Sequence, residues 1–212
     1  MRPGALGGKV ITQRRGFRKY NVSIEGRAVR AEHKKTEADA MTWFLGKSAE
    51  IIALSRPAKR LTVAVQDVRA DHYSALMPHR LEVVVTMSFL YQNMADAADA
   101  ALRKIFTPDV KKKGPRARIE LLEERPPLRA KKANPVVARL AAIGEEWKLP
   151  FDTDSSAAPS AAGLVSGKIP VVCGLAPAGR NILTPLEAVK RGEVLPRALL
   201  LALYLDGGGN NS

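Results

Sequence analysis

Eight consecutive residues, Phe17 to Ile24, alternate between two faces without a break. Phe17, Lys19, Asn21 and Ser23 stand on one, Arg18, Tyr20, Val22 and Ile24 on the other. A period of two places successive side chains on opposite sides of an extended backbone, so the run predicts a strand with one face buried and one wet. Glu25-Gly26 closes it. The pattern returns at Leu81 to Tyr91, where Leu81, Val83, Val85, Met87 and Phe89 share a face after a turn holding Pro78 and His79. Two such strands call for a sheet that is covered on one side only.

The remaining elements fit around that sheet. Val10 and Ile11 open a strand over 9–15 that Gly16 ends. Thr36 is an N-cap type with Asp39 three residues on, and Ala40, Trp43, Phe44, Ala49 and Ile52 mark the apolar stripe of a helix that Pro57 stops. Leu61, Val63, Val65 and Val68 predict a third strand. Asn93 caps a second helix with Ala97, Ala101, Leu102, Ile105 and Phe106 inward, ended by Pro108. Ala117, Ile119 and Leu121 alternate with charged residues in a fifth strand before Pro126-Pro127. The order strand–strand–helix–strand–strand–helix–strand predicts an α+β fold, a ferredoxin-like antiparallel sheet with two helices on one face.

After Leu128 the composition changes. Asn134-Pro135 predicts a helix start running to Lys148. The Ser-, Ala- and Pro-rich stretch 150–167 reads as a loop, or a short helix within one, and Ile169 to Leu175 as an apolar strand of the buried parallel kind. Thr184, with Pro185 next and Glu187 in the first turn, predicts a last helix to Leu205. One strand and two helices cannot close a sheet, so this α/β segment is expected to be incomplete by itself.

The totals exclude several classes. The 212 residues are 46% hydrophobic and 26% charged, a globular composition. No run of 18 apolar residues exists, so no membrane partner is expected. The start has no apolar h-region and Cys173 is the single cysteine, so a secretory signal, a disulfide and a cysteine zinc site are not expected and a cytoplasmic setting is. The formal net charge of +13 comes from basic residues near the start and from Lys111 to Lys132. Phosphate binding is one account of it. Because the cations alternate with apolar residues and no nucleic-acid motif is present, solvated strand faces and loops account for it better, and nucleic acid is not the expected partner.

Several stretches resemble landmarks of the M20 family of zinc peptidases, aminoacylases and deacetylases. Arg15-Gly16-Phe17 with Val22-Ser23-Ile24-Glu25-Gly26-Arg27-Ala28 is similar to the start of the family's lid. Ala75-Leu76-Met77-Pro78 is similar to its "NVVP" turn, Ile169-Pro170 to its "GVP" strand, and Thr184-Pro185-Leu186-Glu187-Ala188 to its "HTPxE" segment. The resemblance implies a ferredoxin-like dimerisation lid at 9–128 and the C-terminal portion of an α/β catalytic domain at 129–206, while 1–8 reads as a flexible start and the Gly- and Asn-rich 207–212 as a disordered tail. It also implies a homodimer paired through a lid edge strand.

The departures bear on activity. By the resemblance, most metal ligands and the general-base glutamate belong upstream of the lid. The lid histidine falls on Arg30, the turn asparagine on Ala75, the substrate-gripping arginine on Ser88 and the C-terminal metal histidine on Leu183. The "GSD" loop falls near Ser155-Ser156-Ala157, without its aspartate. Leucine cannot coordinate zinc, and alanine or serine cannot supply a charge-assisted hydrogen bond to a carboxylate. No catalytic residue, metal ligand or bound cofactor is therefore expected of this chain, although the family uses zinc. His33 is the one candidate substitute for the lid histidine.

Other chemistry-bearing residues have plainer accounts. His33, His72 and His79 match no ligand spacing, and His79 after Pro78 reads as a surface turn residue. Asp152-Thr153-Asp154 reads as a polar loop, Glu123-Glu124 as the end of a strand, Cys173 as a small buried hydrophobe, and Trp43, Phe44 and Trp147 as packing residues. Three functions follow from these expectations. The first is an M20-like lid module without autonomous hydrolase activity. The second is the C-terminal component of a zinc-dependent amidohydrolase or peptidase whose N-terminal half is separately encoded. The third is a basic nucleic-acid-binding protein.

Overall fold

The computed structural model describes residues 9–33, 39–73, 75–107, 114–129, 134–181 and 184–207. The chain divides into two compact units, Gly16–Pro126 and a second made of Met1–Arg15 with Pro127–Ser212.

The Gly16–Pro126 unit is an α+β sandwich. Its strands are β2 (Gly16–Glu25), β3 (Leu61–Ala70), β4 (Arg80–Phe89) and β5 (Arg116–Arg125), and its helices are α1 (Ala40–Ile52) and α2 (Gln92–Phe106). The strands run antiparallel in the order β3-β4-β2-β5, the ferredoxin-like arrangement. Tyr20, Val22 and Ile24 of β2 and Leu81, Val83, Val85, Met87 and Phe89 of β4 are all buried, as their period of two requires. They pack with Phe44 and Ile51 of α1 and with Leu102 and Phe106 of α2. Each large side chain removed from water here contributes about 2 kcal/mol.

Two bulges adjust the edges. Val65 pairs with Val85 while Asp67 pairs with Val84, leaving Gln66 as the extra residue and setting Val68 opposite Val83. On β5 the slip between Lys19 and Tyr20 leaves Leu122 unpaired, and it is exposed.

Asp39 caps α1: its Oδ1 accepts the N–H of Met41 and of Thr42, at 2.9 and 3.3 Å. The expected start at Thr36 lies outside the described residues. The helix stripes are rotated from the expected ones. Ile51, not Ile52, is buried on α1, and on α2 the small inward residues are Ala95 and Ala98 while Ala97 is exposed. Helix α2 starts at Gln92, one residue before the expected cap Asn93.

The strand expected at 9–15 exists, as β1 (Val10–Arg14), but it is not part of this sheet. Both sides of β2 are already taken, by β4 and β5, so β1 has no edge to join there. It forms the middle of a three-stranded sheet in the other unit, antiparallel to β6 (Leu128–Arg129) and parallel to β7 (Thr153–Ser156). A five-stranded lid is thus corrected to four strands.

That unit also holds α3 (Pro135–Glu146), a hairpin of β8 (Gly179–Arg180) and β9 (Ala188–Val189), and α4 (Val194–Asp206). Asn134 caps α3, its side-chain oxygen accepting the N–H of Val136 at 2.9 Å. Residues 169–175 are not a strand. Pro170 has no N–H to give, Gly174 turns the backbone at φ 73°, and only Cys173 bridges to Ile11. Thr184 does not cap a helix either. Its hydroxyl donates to Asn181 C=O at 2.7 Å and accepts the N–H of Leu186 at 3.3 Å, a local turn, and α4 begins only at Val194. Gly207 ends α4, and residues 208–212 lie outside the described ones.

Candidate functional site

At one end of the four-stranded sheet, two loops are tied together. The loop after β2 and the turn between β3 and β4 share two backbone hydrogen bonds, which set Arg30 opposite Leu76. Gly26 N–H donates to His79 C=O at 2.7 Å, and Met77 N–H donates to Val29 C=O at 2.8 Å. Two of the sequence-expected positions meet here: Arg30 on the first loop and Ala75 beside Leu76 on the second. Arg30 is solvent-exposed, and its guanidinium stands 3.8 Å from Glu32. His33 is also exposed, its N–H bonded to Arg30 C=O at 3.0 Å. Ser88 is not brought to this group. It lies near the opposite end of β4, opposite Phe17 and Thr62, about 26 Å along the strand from Arg80. Leu183 lies outside the described residues.

The same corner holds a pair that the sequence did not single out. Asp71 Oδ2 lies 2.8 Å from His79 Nδ1. Its other oxygen accepts the N–H of His79 at 3.0 Å and of Arg80 at 3.1 Å. The Tyr73 ring lies against the imidazole, with centroids 5.6 Å apart and planes inclined by 32°. His79 is therefore half-buried and not the surface residue its place after Pro78 suggested, and its Nδ1 and the Asp71 Oδ2 beside it make no aligned hydrogen bond. The sequence signal available was Asp71 and His79 flanking one turn. His72, between Asp71 and Tyr73, is exposed.

A second charged cluster sits between α2 and the sheet. Arg18 Nη2 donates to Asp96 Oδ1 at 2.7 Å and Arg18 Nε to Glu124 Oε1 at 2.7 Å. Burial works against the charge of Arg18, but the hydrogen bonds it donates to Asp96 and Glu124 outweigh that and raise its pKa. Tyr20 is pushed up by burial and then by Asp99. Asp99, which burial would raise, is instead lowered by Arg103 and Tyr20. This cluster fixes a helix to a sheet. Glu123, next to it, pairs with Arg125 at 2.5 Å.

In the other unit, Asp152 pairs with Lys9 at 2.8 Å, and that hydrogen bond lowers its pKa. Ser155 and Ser156 are not loop residues: they lie on β7, and Ser156 Oγ accepts from Arg14 Nη1 at 3.0 Å. Cys173 is partly buried, its Sγ 3.7 Å from Ser160 Oγ. Trp147 is exposed at the end of α3, where packing was expected. Helix α4 is apolar on nearly all sides. Burial lowers the pKa of its Arg197, with Glu193 opposing, while Leu195 and Leu205 are 80% and 72% exposed.

Among the described residues no three His, Cys, Asp or Glu side chains are gathered in a way that holds a metal ion. No helix of the described residues is long and apolar enough to cross a membrane.

No protein-family model matches the sequence, and no curated protein matches it. Solved structures do match its fold. Aminopeptidase PepT from Bacillus cereus superposes with a TM-score of 0.78 at 20% identity, over 95% of this chain and 54% of that one. A tripeptidase from Staphylococcus aureus gives 0.75 at 15% identity, over 95% and 52%. The chain has the fold of the M20-type peptidases and amidases. An amidase of the hydantoinase/carbamoylase family from Burkholderia vietnamiensis extends the likeness, with a TM-score of 0.68 at 17% identity over 92% of this chain and 48% of that one. This chain thus spans about half the length of the M20-type structures it matches. The Gly16–Pro126 unit is a ferredoxin-like sheet that lies in sequence between β1 and β6.

Proposed function

We propose that these residues form an M20-type dimerisation lid with the C-terminal portion of its α/β domain, and that they do not hydrolyse amide bonds by themselves. The chemistry at the matched positions supports this. Arg30 stands beside Glu32 in solvent, Ala75 offers a methyl group, and Ser88 lies in register with Phe17 and Thr62 at the other end of β4. Among the described residues zinc has no donor set. The function is then to pair and to cover. A homodimer would form through an edge strand of the lid, β3 or β5, each of which has one side open. The lone Cys173 suits a cytoplasmic setting.

The test is an amide-hydrolysis assay of the purified chain with added zinc, on tripeptides and N-acyl amino acids, together with its mass in solution. No turnover and a dimeric mass are expected. Turnover above the metal-only control would defeat the first claim, and a monomer at all concentrations the second.

A second reading is favoured by one observation in the C-terminal unit. Leu186, Leu195 and Leu205 are 75%, 80% and 72% exposed on a unit whose last helix is apolar nearly all round. A helix of that kind is ordinarily covered. This supports a component role, in which a separately encoded half carrying the metal ligands completes the α/β domain and restores an amidohydrolase. A neighbouring reading frame with an H-x-D motif and paired glutamates, purifying with this chain as an active complex, is the expected result. Its absence from the complex would remove this reading.

A further inference from the structure

We propose that the open side of α4 is a contact between two copies of this chain, paired antiparallel about Leu200. The proposal rests on the reading in which the chain works without a complementary half, since one helix face has room for one occupant. It is separate from any pairing of lid edges.

The polarity of α4 is inverted. Its one charge short of the last residue, Arg197, is turned inward and 5% exposed, and Leu200 is 1% exposed. The side open to solvent carries Leu195, Ala198, Leu199, Ala202 and Leu205, with no charge among them. Steps of three and four residues place these on one stripe. A surface helix ordinarily turns its charged side to water and its apolar side to a neighbour, so this stripe is shaped for cover.

The order of residues along the stripe points to the occupant. Leu195 and Leu205 stand equally far on either side of Leu200, and so do Ala198 and Ala202. Leu200 is also the midpoint of Val194–Asp206. Two copies laid antiparallel about that point set Leu195 of one against Leu205 of the other, and Ala198 against Ala202, each twice over. That is the self-complementary contact a two-fold axis requires. The alanines fall at the crossing, where short side chains let two helices approach to about 8 Å. Charge agrees with the direction. Lys190 and Arg191 are exposed at the N-terminal end and Asp206 at the C-terminal end. Glu193 holds Lys190 at 2.9 Å, which leaves Arg191 to meet Asp206 of the other copy. A parallel pair would set like ends and like helix dipoles together. The helix has 13 residues and is about 20 Å long, a small contact, so the association depends on concentration.

Sedimentation equilibrium of the full chain across a wide range of concentration is the test, with Ala198→Lys and Ala202→Glu as variants at exposed positions. The mass of the parent is expected to rise with concentration. Each variant alone is expected to associate at least about tenfold more weakly, because a charge is set against an apolar stripe. An equal mixture of the two is expected to regain the association, since the lysine of one copy then meets the glutamate of the other. A misfolded variant would not recover on mixing, and Leu195→Glu with Leu205→Lys is the replacement pair if one does not fold. Neither lid edge is altered, so a lid dimer is read separately, as the mass that persists in every variant. A parent whose mass does not rise, variants that associate like the parent, a mixture that stays apart, or a parent that associates only with a second, different polypeptide would each overturn the proposal.

Discussion

Arg18 reaches from β2 to Asp96 on α2 with Nη2 and Oδ1 2.7 Å apart, across the buried side of the sheet. Its side chain is 10% exposed, and its guanidinium lies 5.6 Å from the centre of the Phe89 ring. A cation on the helix-covered face of a sheet needs such partners, since burial without them is costly. Glu124 on β5 supplies the second, so one side chain links two strands and a helix.

Arg18→Ala is expected to destabilise the lid by about 2 kcal/mol, well below the figure for a fully buried pair, because Asp96 and Glu124 keep access to water. Arg18→Met keeps the packing and is expected to cost about half as much. Urea unfolding followed by far-ultraviolet circular dichroism reads both. An alanine variant as stable as the parent would show that the cluster is incidental.

Tyr20 gives the lid a limit at high pH. Burial, then Asp99, raises its pKa above the ordinary 10.0. The neutral phenol is favoured by folding, so its contribution is whole below the unfolded value and is lost as pH rises from there toward the folded one. Stability is expected to fall as pH rises above about 10, and to fall less steeply in Tyr20→Phe. Denaturant midpoints at several alkaline pH values provide the comparison, and parallel curves for the two proteins would contradict it.

Gly16 admits no side chain. A Cβ there would stand 2.5 Å from Phe89 Cε2 and 2.9 Å from Arg125 C=O. The ring can give way but the backbone oxygen is held in the sheet. Gly16→Ala is expected to cost about 2 kcal/mol, read as a lowered thermal midpoint of the isolated 16–126 segment. Gly46→Ala, with open space around its Cβ, is the matched control and is expected to be neutral or slightly stabilising.

The exposed leucines separate the two functional readings. Leu195→Glu and Leu205→Glu are expected to change the stability of the chain alone by less than about 0.5 kcal/mol. If a complementary half docks on this surface, the same substitutions abolish co-purification with it. Retained assembly in the double variant would locate the contact elsewhere.

The four-stranded sheet was legible because its strands obey one rule each. Val22 and Ile24, or Val83 and Val85, alternate with polar residues, and both helices carry a stripe. Where the sequence misled, a tertiary partner decided. Val10 and Ile11 look the same whether β1 pairs with β2 or with β7, and only the occupied edges of β2 choose. Thr153 to Ser156 carries no apolar signal at all, and it becomes a strand because β1 offers it a parallel edge. Thr184-Pro185 reads as a helix start by composition, yet its hydroxyl is spent on Asn181. The candidate corner was half legible. Arg30 and Ala75 came from the resemblance, while Asp71 and His79, eight residues apart, meet only because the β3–β4 turn folds one back on the other.

The ends of the lid meet: Phe17 pairs with Arg125, and just outside them Arg14 pairs with Leu128. Strand partners stand about 5 Å apart, so a tight turn would rejoin the flanks without cutting either sheet. The segment 16–126 is in that sense a removable cassette.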